Sequence, residues 1–160
     1  MAAHDAQQLG KYLDHAIRLA VQNVADGGGP FGAVVVTPDG RLHDGVNRVT
    51  RDNDPTAHAE VVAIRRAASE LGSFDLSGSV LYSSCEPCPL CLSAALWARI
   101  GQVYFAADRH GAARAGFDDA VFYEYFDGVR PELLPVQHAD VPASDAPFDA
   151  WRGHKNRTVY

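Results

Sequence analysis

Basic charge is what this sequence has little of. Its 14 Lys and Arg face 20 Asp and Glu, giving a formal charge of −6. A general nucleic-acid binder needs a cationic stripe to neutralise phosphates, and no such excess exists here. Short basic clusters do occur, around Arg109 and Arg114 and from Arg152 to Arg157. Long apolar runs are missing as well. No stretch is long enough to span a bilayer, and no N-terminal segment has the apolar core of a signal peptide. The expected location is therefore cytoplasmic, with neither nucleic acid nor membrane as a partner. Cysteine is scarce: there are three, all between positions 85 and 91. In a cytoplasmic chain such a cluster points to metal or redox chemistry, not to a disulfide framework. An iron–sulfur run of this kind lacks its fourth Cys. Nothing matches a P-loop; Gly27-Gly28-Gly29-Pro30 reads as a helix stop and tight turn. Internal repeats and low-complexity segments are absent. With 47% hydrophobic and 21% charged residues over 160 positions, one folded domain spanning 1–160 is expected.

The periodicity is that of an α/β chain. Tyr12, Leu13, Ala16, Ile17, Ala20, Val21 and Val24 form a helical stripe ending near Asp26. Phe31 to Thr37 and Arg41 to Thr50 read as a hairpin around the turn Pro38-Asp39-Gly40. A helix over 57–71, a strand over 80–83, a helix over 88–97 and a strand over 103–107 follow. Two strand–helix–strand crossovers in a row predict parallel pairing of the central strands. Short helices are expected over 109–115 and 120–125, a fifth strand within 133–141, and a terminal helix over 145–152 with Pro147 in its first turn.

The chemistry concentrates in two stretches. Cys88 and Cys91 stand three residues apart where a helix opens, one turn apart on one face, and the positive helix end favours their thiolates. Thirty residues before Cys88, His58 and Glu60 open another helix. Two thiolates and an imidazole suit zinc, and three protein ligands leave one tetrahedral position for a water whose pKa the metal lowers toward neutrality. Glu60, close by but not a ligand, suits a proton shuttle. Alternatives stand beside this reading. Cys-x-x-Cys alone fits a redox pair or half of a structural zinc knuckle, and Cys85 would complete a four-ligand structural site. That site has no use for Glu60, so Cys85 is taken as a residue packed beside the metal.

Thr56-Ala57-His58-Ala59-Glu60 together with Glu86-Pro87-Cys88-Pro89-Leu90-Cys91 resembles the cytidine deaminase superfamily. Gly29 to Val34, Asn53 to Thr56, Trp97-Ala98-Arg99, Ala115 to Asp119 and Pro147 to Arg152 resemble its bacterial guanine deaminase branch, so the likeness covers nearly the whole chain. The resemblance implies a three-layer α/β/α cytidine deaminase-like fold around a central five-stranded mixed sheet. It implies Zn2+ on His58, Cys88 and Cys91, and hydrolytic deamination of a purine base, guanine to xanthine and ammonia, with Glu60 and Asp119 as catalytic residues. It further implies a base pocket of Phe31, Asn47 and Asp119, closed by Trp97 and Tyr160 in a homodimer whose C-terminal segment can swap. Each pocket residue has an ordinary reading too: Phe31 as core, Asn47 in a turn, Asp118 or Asp119 as a helix cap. The metal motif is shared by substrates such as guanosine, cytosine or an amino-triazine. An alternative of another class is a non-catalytic zinc-binding interaction module.

Overall fold

The structure, a computed structural model, describes residues 3–160. The first helix, α1 (Ala3–Ala25), buries Tyr12, Ala16 and Ala20 but leaves Ile17, Val21 and Val24 exposed on its flank. Only part of the apolar stripe therefore meets the sheet. The helix ends where Gly27, at φ +84°, takes a left-handed conformation that a side chain would strain.

Strands β1 (Gly32–Val36) and β2 (Leu42–Val46) form the expected hairpin, with Gly32 opposite Val46 and Val36 opposite Leu42. The second strand is shorter than its sequence suggested, because α2 (Val49–Asp52) begins at Val49. Then come α3 (Ala59–Leu71), β3 (Val80–Cys85), α4 (Pro89–Trp97) and β4 (Gln102–Ala107). The sheet order is β2-β1-β3-β4.

Two sequence expectations need correction. Only β3 and β4 pair in parallel; β1 pairs antiparallel with both β2 and β3. The crossover through α3 does return β3 in the direction of β2, but it steps over β1, which lies between them. The sheet also has four strands, not five. Instead of a strand, Pro131–Leu133 makes a 3-10 turn, and the segment up to α7 (Ala146–Gly153) is irregular. Pro131, Pro135 and Pro142 remove backbone donors there, and every residue from 126 to 160 is exposed. A strand needs a neighbour for its N–H and C=O groups, and among the described residues none pairs with this segment.

The layers follow from alternation along the strands. Val34, Val36 and Tyr82 pack under Tyr12 of α1. Ala33, Val35 and Leu81 face α3 and α4, where Ala59, Ala63, Ala67 and Ala95 let the helices lie close. Two strand glycines set these approaches. A Cβ on Gly32 would fall within 3.0 Å of the Ala16 carbonyl oxygen and Ala20 nitrogen, and one on Gly45 within 3.0 Å of the Ala59 oxygen and Ala63 nitrogen. After β4, α5 (Arg109–Arg114) and α6 (Ala120–Phe126) cross the end of the sheet that carries the site. Among the described residues, no helix is long and apolar enough to cross a membrane.

Candidate active site

Two helix starts meet at the C-terminal end of β3. Cys88 is the N-cap of α4, with Pro89 as its first residue, and Cys91 lies in the first turn. Proline at that position loses no hydrogen bond and pre-sets the helical φ. His58 is the N-cap of α3, in extended conformation, so its ring projects away from the helix. The segment delivering it is fixed by Asp54, whose Oδ1 accepts from the Thr56 backbone N–H and hydroxyl at 2.8 and 2.7 Å.

Among the described residues, His58, Cys88 and Cys91 form the one group of His, Cys and acidic side chains gathered as a metal cage would be. His58 Nδ1 lies 3.5 Å from each sulfur, and the sulfurs lie 3.7 Å apart. A tetrahedral zinc with ordinary bond lengths needs N···S and S···S edges of about 3.6 and about 3.8 Å. The donor set and its spacing therefore fit zinc. The two sulfurs share a hydrogen bond; with His58 also beside it, the Cys88 thiol is drawn down to about 4, while Cys91 is pushed up. His58 is raised above its ordinary value by its bond to Cys88.

Glu60 is almost fully buried beside this cage. Its Oε1 accepts from the Ser83 hydroxyl at 3.1 Å, and its Oε2 lies 3.4 Å from the Cys91 sulfur. Burial pushes its carboxyl above the usual range. A buried carboxyl with a raised pKa is suited to acid–base work.

A cavity of about 520 Å³ opens over these groups, within the range of small-molecule sites. Phe31, Asn47, His58, Glu60, Glu86, Phe117 and Asp119 line it. Asp119 occupies the N-cap position of α6, yet its side chain caps nothing. Its Oδ1 is buried without a partner, and burial raises its carboxyl. The capping explanation therefore fails for Asp119, and the unpaired oxygen belongs to the cavity wall. Behind Phe31 and Phe117, whose rings meet edge to face at 4.9 Å, lies a separate apolar groove of about 410 Å³. Cys85 lines that groove, outside the metal cage, and burial pushes its thiol up to about 11.

Trp97 and Tyr160 are placed elsewhere. Their rings are 6.0 Å apart over Ser93, Leu96 and Arg99, in a different depression from the cavity above the cage. Sequence reasoning overlooked several residues that the fold brings in. Phe117 was visible only as part of Ala115 to Asp119, and Ser83 as an alternate position on β3. Glu86 accepts from the Arg109 backbone and guanidinium, and Arg109 stacks 3.6 Å over the Tyr123 ring. Tyr123 in turn donates to the Pro87 carbonyl at 2.6 Å. This chain of contacts locks α6 onto the Cys88 loop. Its contacts span 14 to 36 residues of sequence, which gives no local signal.

The comparisons bear on this arrangement. Residues 6–107 match the family described as the cytidine and deoxycytidylate deaminase zinc-binding region. Guanine deaminase of Bacillus subtilis is 46% identical over 151 residues, covering 93% of this chain and 97% of that protein. Its X-ray structure superposes with a TM-score of 0.89, covering 94% of this chain and 98% of that one at 44% identity. A tRNA-specific adenosine deaminase of Aquifex aeolicus is 36% identical over 130 residues, 80% of this chain and 86% of that one. A solved complex with 2,6-diaminopurine matches with a TM-score of 0.64 at 33% identity, over 68% of this chain and 61% of that one.

Proposed function

Since the chain belongs to the cytidine and deoxycytidylate deaminase family, we propose that it hydrolyses the 2-amino group of guanine, giving xanthine and ammonia. One observation carries this reading. Glu60 sits beside the His58–Cys88–Cys91 cage, under a base-sized cavity, in a chain that matches a guanine deaminase nearly end to end.

His58, Cys88 and Cys91 would hold the zinc. Zinc bound there supplies a water whose pKa is lowered toward neutrality. Glu60 would take a proton from the attacking water at Oε2 and pass it to the ring nitrogen N3. It then moves the second proton to the departing amine, so that water is added and ammonia leaves. Ser83 holds Oε1, and Oε2, on the side of the Cys91 sulfur at 3.4 Å, is the working oxygen. Phe31 packs on the ring face. The Asn47 Oδ1 accepts from the Val49 N–H at 3.2 Å, so its NH2 group remains to donate to the 6-oxo oxygen. Asp119 uses its unpartnered oxygen on the amine side. The net charge of −6 disfavours a tRNA substrate, which would need phosphate contacts along its backbone.

The active form is a homodimer whose C-terminal segments swap, so that Trp97 and Tyr160 of one protomer close the other's pocket. Three features support it: the exposed apolar tail, the unpaired outer edge of β4, and the pairing of Trp97 with Tyr160 away from their own cavity.

The test is ammonia release by the zinc-loaded protein from guanine, guanosine, adenine, cytosine, cytidine and an amino-triazine. Guanine turnover is expected, falling by about 10²–10⁴-fold in Glu60→Ala with zinc retained, the usual weight of a general acid–base group. Turnover of a different member would replace the substrate. A Glu60→Ala protein as active as wild type would remove the mechanism and favour a zinc module without catalysis.

A further inference from the structure

The third residue before the end of α1 holds two distant pieces of backbone. Asn23 is 2% exposed, and its NH2 group uses both hydrogens. One goes to the Gly29 carbonyl at 2.8 Å and the other to the Asn47 carbonyl at 2.9 Å. Gly29 lies two residues before Phe31 and also accepts the Phe31 N–H at 2.9 Å; the Asn47 N–H in turn bonds the Phe31 carbonyl at 3.1 Å. One buried carboxamide thus joins the two walls of the base cavity from behind. The loop is moulded around it. A Cβ on Gly28 would fall within 3.0 Å of the Asn23 carboxamide atoms, and one on Gly29 would lie 3.0 Å from the Asn47 side chain. Asn47 itself is held in one orientation by the Val49 N–H on its oxygen. Its NH2 end therefore meets the ligand, as a donor that suits a ring oxo oxygen and opposes an exocyclic amine.

We propose that Asn23 is a specificity-determining positioning residue. By tying the Gly29 and Asn47 carbonyls it fixes the gap between the Phe31 ring and the Asn47 amide, and so the preference for a 6-oxo over a 6-amino purine. This rests on the guanine reading above. Asn23 touches no substrate; it acts through the two residues it spaces. A side chain with two donors in that place is required, since each carbonyl would otherwise be left without this bond inside the protein.

The test compares wild type with Asn23→Asp and Gly28→Ala, by steady-state kinetics on guanine and by competition with 2,6-diaminopurine. Asn23→Asp keeps the shape but puts an oxygen against two carbonyl oxygens. Gly28→Ala leaves the donors in place and pushes them aside with a methyl group. Gly28 is not in the left-handed region, so the methyl group introduces no backbone strain of its own. In both variants KM for guanine is expected to rise about tenfold while kcat falls less than about threefold, the pattern of a lost binding contact. The preference for guanine over 2,6-diaminopurine should shrink by a similar factor. A purely structural Asn23 would lower the thermal midpoint and leave KM and preference unchanged. That result overturns the proposal while guanine turnover by the wild type stands. A wild type inert toward guanine overturns the substrate reading and this proposal with it. If Asn23→Asp does not fold, Gly28→Ala decides.

Discussion

Glu60 shows what a single residue costs and contributes here. A carboxylate buried in the first turn of α3 is unfavourable unless bonded, and the Ser83 hydroxyl meets one of its oxygens. The remaining oxygen is left to the chemistry. Asp54 is the contrasting acid, half-buried and held below the ordinary aspartate range, first by the Thr56 hydroxyl and then by the Thr56 N–H and Arg65. Its folded pKa is depressed, so its contribution to stability is present above the unfolded value and lost as pH falls through the folded one. Asp54→Ala should lower the urea midpoint at neutral pH. That gap should close as the pH drops below about 4, where the unfolded aspartate protonates. A gap that persists undiminished in acid would show that the turn is held by something other than the carboxylate. The metal triad and Glu60 were legible from spacing alone, because each pair lies within one helix start. Ser83 and Asn23 were not, since their partners are 23 and 24 residues away.

At the scale of elements, helix starts and glycines do the placing. Both segments that form the His58–Cys88–Cys91 cluster are helix N-termini, where the positive helix end favours thiolate and carboxylate. Gly45 decides how near α3 comes to β2, and hence where His58 and Glu60 sit over β3. Gly45→Ala would drive a methyl group into the Ala59 carbonyl and Ala63. Neither neighbour is a flexible side chain that can swing away. A loss of about 3 kcal/mol in unfolding free energy is expected, at the upper end of overpacking in a core. Weaker zinc retention should accompany it, read by competition with a chelator. A Gly45→Ala protein of wild-type stability would mean that the hairpin and helix can part without cost. The Arg41–Thr50 strand was read too long for a related reason. Val49 and Thr50 are β-branched and suit a strand, but Arg48 pairs with Asp52 one helical turn on, and α2 takes them.

The whole molecule is divided unevenly. Residues up to about Ala112 hold the buried core, whereas Phe126, Val129, Leu134, Val136, Phe148, Trp151 and Val159 are exposed apolar groups on the tail. So many exposed apolar residues are more than an ordinary monomer surface carries, and they mark a binding face. Helix α4 adds Leu90, Leu92, Leu96 and Trp97 to the same account. With a swapped dimer, each complete site takes Glu60 from one chain and the tail from the other. Glu60→Ala and a chain ending at Ser144 should each be inactive alone. Mixed by co-refolding, they should recover about a quarter of wild-type activity, since half the dimers are mixed and each of those has one intact site. No recovery, with dimers confirmed by sedimentation, would place each tail over its own pocket.

The sequence by itself determined the His58–Cys88–Cys91 cluster with Glu60 close by, the hairpin, the order of helices and strands through residue 107 apart from α2, and the family. These depend on local spacing and on turn chemistry, which a few neighbouring residues settle. Tertiary structure decided the rest. It put β1 between β2 and β3, because a crossover fixes strand direction but not which strand is the neighbour. It denied residues 133–141 a strand, because pairing needs a neighbour alongside and the proline-rich segment does not lie against either open edge of the sheet. It freed Asp119 from capping and buried Asn23 against two carbonyls, because both depend on segments that meet only after the sheet has formed.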